Sequence, residues 1–172
     1  MNLTLIGMPG VGKSSVGKLL AKRLGYSLID TDIAITEALQ TPLQTLISTY
    51  GNDYFMEQEE KAILSLGTCQ KSIIAPGGSA VYSEKGMLFL KKISTVIYLR
   101  DSLNNIQKRL HNLHTRGIVG LKEKGLPLLF QERCFLYERY ADIIVDVNPH
   151  FQCKIMCDTI LNALKGVSIE HP

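Results

Sequence analysis

Gly7-Met8-Pro9-Gly10-Val11-Gly12-Lys13-Ser14 satisfies G-x-x-x-x-G-K-[ST] at every fixed position, directly after the apolar run Asn2-Leu3-Thr4-Leu5-Ile6. Such a loop grips polyphosphate. Its glycines reach backbone angles closed to residues with a Cβ, so several N–H groups turn inward around one anion. The helix that follows presents its positive N-terminal end to the same phosphate. Within this pattern Lys13 supplies a point charge at the β and γ phosphates, and the Ser14 hydroxyl is a ligand for Mg²⁺. A chance Gly-rich turn is the bland alternative. Strand, loop, Gly-Lys-Ser and periodic helix, all in the required order, argue against it.

A Gly-Lys-Ser loop does not by itself separate switches, motors and kinases, so the next question is where a metal-organising carboxylate comes from. The apolar run ending in Ala75-Pro76-Gly77-Gly78 offers no acid, and Asp146 ends another run close to the start of a helix, where it reads equally as a solvated strand end. The remaining place is Asp30-Thr31-Asp32. Two carboxylates on one side of an extended segment suit one metal-organising and one acceptor-facing role, because Mg²⁺ keeps waters that one acid can hold while its neighbour receives a hydroxyl proton. The alternative is a helix cap, with Asp32 closing Ile33-Ala34-Ile35. The two readings are compatible.

The elements that must position these groups alternate between short apolar strands and longer stretches of helical period. Strands are expected at 2–6, 27–30, 72–75, 95–99 and 142–146. Helices are expected at 13–24, 32–39, 42–49, 53–66, 83–91, 102–113, 126–139 and 150–164. Gly25 reads as the stop of the first helix and Asn148-Pro149 as the start of the last. Alternation of this kind predicts parallel βαβ units: an α/β, three-layer αβα fold with a five-stranded parallel sheet.

The 172 residues fit one domain, 1–172. A formal net charge of +3, not gathered into a basic stretch, gives no reason to expect nucleic acid or an anionic membrane as partner. Cys69, Cys134, Cys153 and Cys157 are too few for a disulfide scaffold, and the N-terminus lacks a basic region followed by an apolar stretch and cleavage site. The apolar runs are too short for a membrane span, so a cytoplasmic monomer is the expectation.

The glycine loop through Ser15-Val16-Gly17, the Asp30/Asp32 pair, Gly51 followed by Phe55 and Glu59, the Gly77-Gly78 turn, Arg116, and Arg133 with Tyr137 and Ala141-Asp142 fall in the order and spacing of shikimate kinases. From Leu3 to about Val147 the chain resembles that family. The resemblance implies a nucleoside monophosphate kinase-like fold, a mobile lid at about 112–125, and phosphoryl transfer from Mg²⁺-bound ATP to the 3-hydroxyl of shikimate in aromatic amino-acid biosynthesis. It implies that Gly10, Val11, Gly12, Lys13, Ser14 and Ser15 bind nucleotide, that Asp30 holds the metal through water, and that Asp32 contacts the acceptor hydroxyl as base. Arg116 matches a lid arginine at the transferring phosphate and Arg109 one that packs on adenine. Gly77, Gly78 and Arg133 match positions that hold the cyclic acid, with Glu59 a supporting carboxylate beside it.

Residues 112–125 carry three glycines and four basic side chains, so the segment has little to bury and can hinge. Closure over the reacting phosphate would exclude water and bring in Arg116, and a positioned arginine contributes about 10³-fold or more to such transfers. Two departures bear on the acceptor. Met56 stands where the family has an arginine that clamps the substrate carboxylate together with the Arg133 position. A thioether does not replace a bidentate, charge-assisted contact worth roughly 1.5 to 3 kcal/mol. Ser79 stands where a third glycine is usual, which adds a Cβ and a hydroxyl at the pocket. Another small hydroxylated metabolite, such as a polyol, sugar acid or hydroxy amino acid, is therefore an alternative acceptor.

Other residues favour structural roles. His111 and His114 lack a third metal ligand and read as a surface pair. Cys153 and Cys157 read as packing on the last helix, and Phe130, Phe135 and Leu136 as core. Glu57 and Glu60 read as a solvated face, and Tyr137 as packing or a pocket cap. A nucleotide-dependent switch is the rival from another class. Guanine-specific switches carry Asn-Lys-x-Asp after a strand, and here the corresponding strand ends Tyr98-Leu99-Arg100-Asp101. A nucleoside monophosphate kinase is disfavoured by the Asp30/Asp32 pair and the Gly77-Gly78 turn, and Met56 alone speaks for a non-catalytic relative.

Overall fold

The computed structural model describes residues 1–67, 69–110, 117–147 and 152–166. Five parallel strands form one sheet: β1 (Leu3–Ile6), β2 (Ser27–Asp30), β3 (Ser72–Ala75), β4 (Thr95–Arg100) and β5 (Ile143–Asp146), in the order β2-β3-β1-β4-β5. Their composition explains the order. Leu3-Thr4-Leu5-Ile6 and Ser72-Ile73-Ile74-Ala75 are buried along their whole length, as central parallel strands covered on both faces must be. At the edges β2 is largely exposed and β5 alternates buried with exposed residues.

Helices α1 (Lys13–Leu24) and α7 (Cys153–Gly166) pack on each other, α1 against β1, β2 and β3, and α7 against β5. Helices α4 (Glu84–Ile93) and α6 (Leu121–Tyr140) lie against β4, and α3 (Leu43–Leu64) against α4. Gly17 allows α1 to sit close to the sheet: a Cβ there would stand 3.1 Å from Leu28 Cδ1 and 3.4 Å from Ile73 Cγ2. Gly25, left-handed at φ 67°, stops α1 where the sequence predicts. A second, smaller apolar cluster of Ile35, Leu46, Phe55 and Val119 joins α2 (Thr31–Leu39) to α3.

Several expectations need correction. The helices predicted at 42–49 and 53–66 run together as α3, kinked at Gly51 with φ 86° and ψ 173°. Helix α6 starts at Leu121 and kinks at Gly125, so the first turn of that helix lies within the span read as a lid. Its buried face is Leu126, Leu129, Arg133, Tyr137 and Tyr140. Phe135, two residues and about 200° round from Arg133, therefore points outward and is 70% exposed, not core. Helix α5 (Leu103–Arg109) ends at Leu110, whose side chain packs against Gly10 of the phosphate loop. His111, His114 and the Asn148-Pro149 helix start lie outside the described residues.

Candidate active site at the carboxyl ends of the strands

In an open parallel sheet the ligand crevice forms beyond the strands' carboxyl ends, where connections leave in opposite directions. Here β1 lies between β3 and β4, and the loops after β1, β2 and β3 meet around one cleft of about 260 Å³. Of the residues singled out in the sequence, Gly10, Gly12, Lys13, Ser14, Ser15, Asp30, Asp32, Gly77, Gly78, Ser79 and Arg133 line it.

On the phosphate side, Gly7, Gly10 and Gly12 have φ of 145°, 82° and 104°, and the turn closes with Val11 N–H donating to Met8 O at 3.2 Å. The Lys13 ammonium reaches back over the loop, donating to Gly7 O at 2.8 Å and Met8 O at 3.3 Å. Ser14 Oγ donates to Asp30 Oδ2 at 2.7 Å. The other Asp30 oxygen accepts from the N–H groups of Asp32 (3.1 Å) and Ile33 (3.4 Å), which makes Asp30 the N-cap of α2. The cap predicted at Asp32 thus sits two residues earlier. Asp30 is the last residue of β2 and remains extended at φ −103°, whereas Asp32 is already helical and its carboxylate is turned to the cleft instead of to the backbone.

The far end of the cleft is built on close approach. A Cβ on Gly77 would stand 2.6 Å from Asp32 Oδ1 and still closer to Glu59 Oε1. One on Gly78 would meet Pro9 Cδ at 2.8 Å and Arg133 Nη1 at 2.9 Å. Gly77 N–H donates to Thr31 Oγ1 at 3.3 Å, and Tyr137 Oη donates to Gly78 O at 2.7 Å, so the turn is tied to both flanks. Arg133 is 1% exposed; its Nη2 donates to Val119 O at 2.8 Å and its guanidinium lies over the Tyr82 ring. Leu43, Phe55, Ile118 and Val119 add an apolar wall.

Glu59 does not line the cleft. It lies behind the Gly77–Ser79 turn, 1% exposed, and accepts from Ser79 Oγ at 2.7 Å. Its Oε1 is buried without a hydrogen-bond partner. Burial in a low dielectric pushes this carboxyl up to about 7, helped by the Asp32 charge and opposed by the Ser79 hydrogen bond, Arg133 and Lys13.

Three other expected site residues lie elsewhere. Val11 is a core residue, 1% exposed, so only its backbone can serve the loop. Arg109 is held by Asp101, whose carboxylate accepts from it at 2.6 Å and from Asn105 Nδ2 at 2.7 Å. Met56 lines an adjoining cavity with Tyr82, Val119, Lys124 and Glu132. Arg116 lies outside the described residues. The lid segment, read as a hinge with little to bury, is in part an inner wall: Ile118 and Val119 are 8% and 5% exposed, and a Cβ on Gly117 would press on the Leu43–Gln44 backbone. Sequence reasoning missed this wall, the Ser79–Glu59 bond and Asp101. Only Asp101 had a signal, its spacing of four and eight residues from Asn105 and Arg109 just ahead of a helix start.

Among the described residues no group of three or more His, Cys, Asp or Glu is placed to hold a metal, and no helix is long and apolar enough to cross a membrane. The paired Ser14 and Asp30 oxygens do fit a hard cation such as Mg²⁺, which takes few protein ligands and keeps waters and phosphate oxygens.

The family model for shikimate kinase matches residues 9–165. The chain is 36% identical over 147 residues to shikimate kinase of Thermodesulfovibrio yellowstonii, covering 84% of each chain. It is 34% identical over 171 residues to that of Rippkaea orientalis, covering 97% of this chain and 89% of the relative. Shikimate kinase from Acinetobacter baumannii, solved in complex with shikimate, superposes with a TM-score of 0.89 over 98% of this chain and 95% of that one at 24% identity, which establishes a shared fold.

Proposed function

The chain belongs to the shikimate kinase family, ATP-dependent phosphotransferases with an alcohol acceptor, and on that premise we propose that shikimate is the acceptor and that the cleft residues divide the work as follows. The loop from Gly10 to Ser15 binds the ATP phosphates. Asp32 accepts the proton of the attacking hydroxyl, whose oxygen bonds to the γ-phosphorus as the bond to the ADP oxygen breaks. Lys13 neutralises charge that develops on the phosphoryl oxygens. Arg116 takes the same role from the family pattern alone. Ser14 and Asp30 would hold Mg²⁺, which when bound supplies charge neutralisation at the phosphates. Arg133 meets the acceptor carboxylate, Gly77 and Gly78 let the acceptor approach the backbone closely, and Leu43, Phe55 and Val119 cover its apolar face.

One observation carries this reading: a cleft that holds the phosphate loop at one end also holds Asp32, the two glycines and a buried arginine at the other. A polyphosphate site alone would not need the second set. The same reading makes the protein a magnesium-dependent, cytoplasmic monomer with one kinase domain and no nucleic-acid or membrane partner, in keeping with its modest charge.

ADP release with shikimate, quinate, gluconate, homoserine and simple polyols tests the acceptor. Shikimate is expected to give the highest kcat/KM by at least about tenfold, the scale of one charge-assisted contact. Faster turnover of any other acceptor, or none with shikimate, would overturn the assignment.

A further inference from the structure

Glu59 is a buried acid that the reaction above does not use. It comes from the part of α3 beyond the Gly51 kink, and charged or titratable groups reach it from three directions: Lys13 from α1, Asp32 from α2, and Arg133 with Tyr137 from α6. Ser79 holds one of its oxygens. The other is unpartnered and, with Asp32 Oδ1, occupies the space that a Cβ on Gly77 would need. A carboxyl so placed changes the field in the acceptor end of the cleft when it gains or loses a proton.

We propose that the Ser79–Glu59 pair is a specificity element of the acceptor site: Glu59, standing behind the Gly77–Ser79 turn, sets how much of the Arg133 charge is available to an acceptor's own carboxylate. The inference rests on the assignment of Arg133 to the acceptor carboxylate. With Glu59 neutral, Arg133 shares its field with Asp32 across the turn and with Glu132 beside it on α6, itself paired with Lys124, and more of its charge is offered to the ligand. With Glu59 ionised, the buried carboxylate competes for the same cation across a low dielectric, and an anionic acceptor binds less well. Ser79 tunes the balance, because its hydroxyl donates to the charged form and so favours ionisation. Glu59 touches neither substrate and acts as a positioning residue.

The raised titration range of Glu59 falls where assays are convenient, near pH 7. The wild-type KM for shikimate is expected to rise about tenfold between pH 6 and 8, with kcat and the KM for ATP changing much less. The methyl ester of shikimate, which has no charge to compete for Arg133, should show no such rise. Glu59→Gln keeps the shape and still accepts from Ser79, and it should bind shikimate about tenfold more tightly than wild type at pH 8 while losing the pH dependence of KM. Ser79→Ala should move the KM rise upward by about one pH unit, since the charged form loses a hydrogen bond.

A wild-type KM that is flat over this range, an ester that shows the same rise, or a Glu59→Gln enzyme that keeps it would overturn the proposal. The wild-type and ester arms need no variant to fold. Absence of any shikimate turnover in wild type would overturn the acceptor assignment and this inference with it. Turnover with an unaltered profile in Glu59→Gln would overturn this inference alone.

Discussion

Replacing Glu59 by glutamine should stabilise the protein at alkaline pH, although it deletes a charged side chain that accepts a good hydrogen bond. The folded protein holds the Glu59 proton up to about pH 7, whereas the unfolded chain releases it near 4.5. Between those values the native state binds one more proton than the unfolded state, so stability falls as pH rises. The contribution is fully present below 4.5 and lost by about 7. Each pH unit of such a gap is worth about 1.4 kcal/mol, which makes the whole loss roughly 3 kcal/mol. Exposure of 1% leaves little solvent to screen it. Glutamine has no proton to lose and preserves the acceptor for Ser79 Oγ. Urea unfolding of both proteins at pH 5, 6, 7 and 8 isolates the term, because every other titrating group enters both curves. The stability difference should be small at pH 5 and grow in favour of Glu59→Gln to roughly 3 kcal/mol by pH 8. A difference that stays constant with pH would show that Glu59 is not a buried, neutral acid and would refute the reasoning.

Three further substitutions probe the cleft. Asp32→Asn should lower kcat by about 10²-fold or more while ATP still binds with near wild-type affinity, measured by ADP release and nucleotide titration; near-normal turnover would remove Asp32 from the mechanism. Gly77→Ala puts a Cβ against Glu59 and Asp32, so it should cost about 1–3 kcal/mol in a thermal melt and reduce turnover through displacement of Asp32. Unchanged melting would mean that the turn is looser than its packing implies. Met56→Arg adds a guanidinium in the cavity that shares Val119 with the cleft, and it should lower the shikimate KM by about tenfold; an unaltered KM would mean that position 56 does not reach the acceptor.

How much of this was legible in the sequence depended on how local the cause was. The central strands β1, β3 and β4 fall where apolar runs predict them because a parallel strand covered on both faces is buried along nearly its whole length, and the shortness of each run between longer helical stretches separates strand from helix. The phosphate loop was legible because glycine spacing and Gly-Lys-Ser encode a backbone shape within eight residues. The Asp30/Asp32 pair was legible as a pair, but the division of labour was not. Which acid caps α2 depends on where the chain turns from extended to helical, a boundary that shifts by a residue or two without any change in composition. Phe135 shows the opposite limit: apolar type suggested core, and only the phase of the helix, fixed by Arg133 and Tyr137, turns it outward.

What stayed hidden is held by contacts between residues far apart in the chain. Glu59 reads in sequence as one of three acids on a helical face, and nothing nearby distinguishes it from Glu57, which pairs with Lys61 at the surface. The Gly77–Ser79 turn folds over it; Gly77 allows that approach because it has no Cβ, and Ser79 supplies a donor to the buried carboxyl. A serine in place of a third glycine therefore looks like an intrusion when read along the chain. In three dimensions its hydroxyl is directed into the protein, where the buried Glu59 carboxyl accepts from it. A Ser79→Gly exchange would restore the family sequence yet leave both Glu59 oxygens without a partner, so the usual glycine is not the better residue on this background.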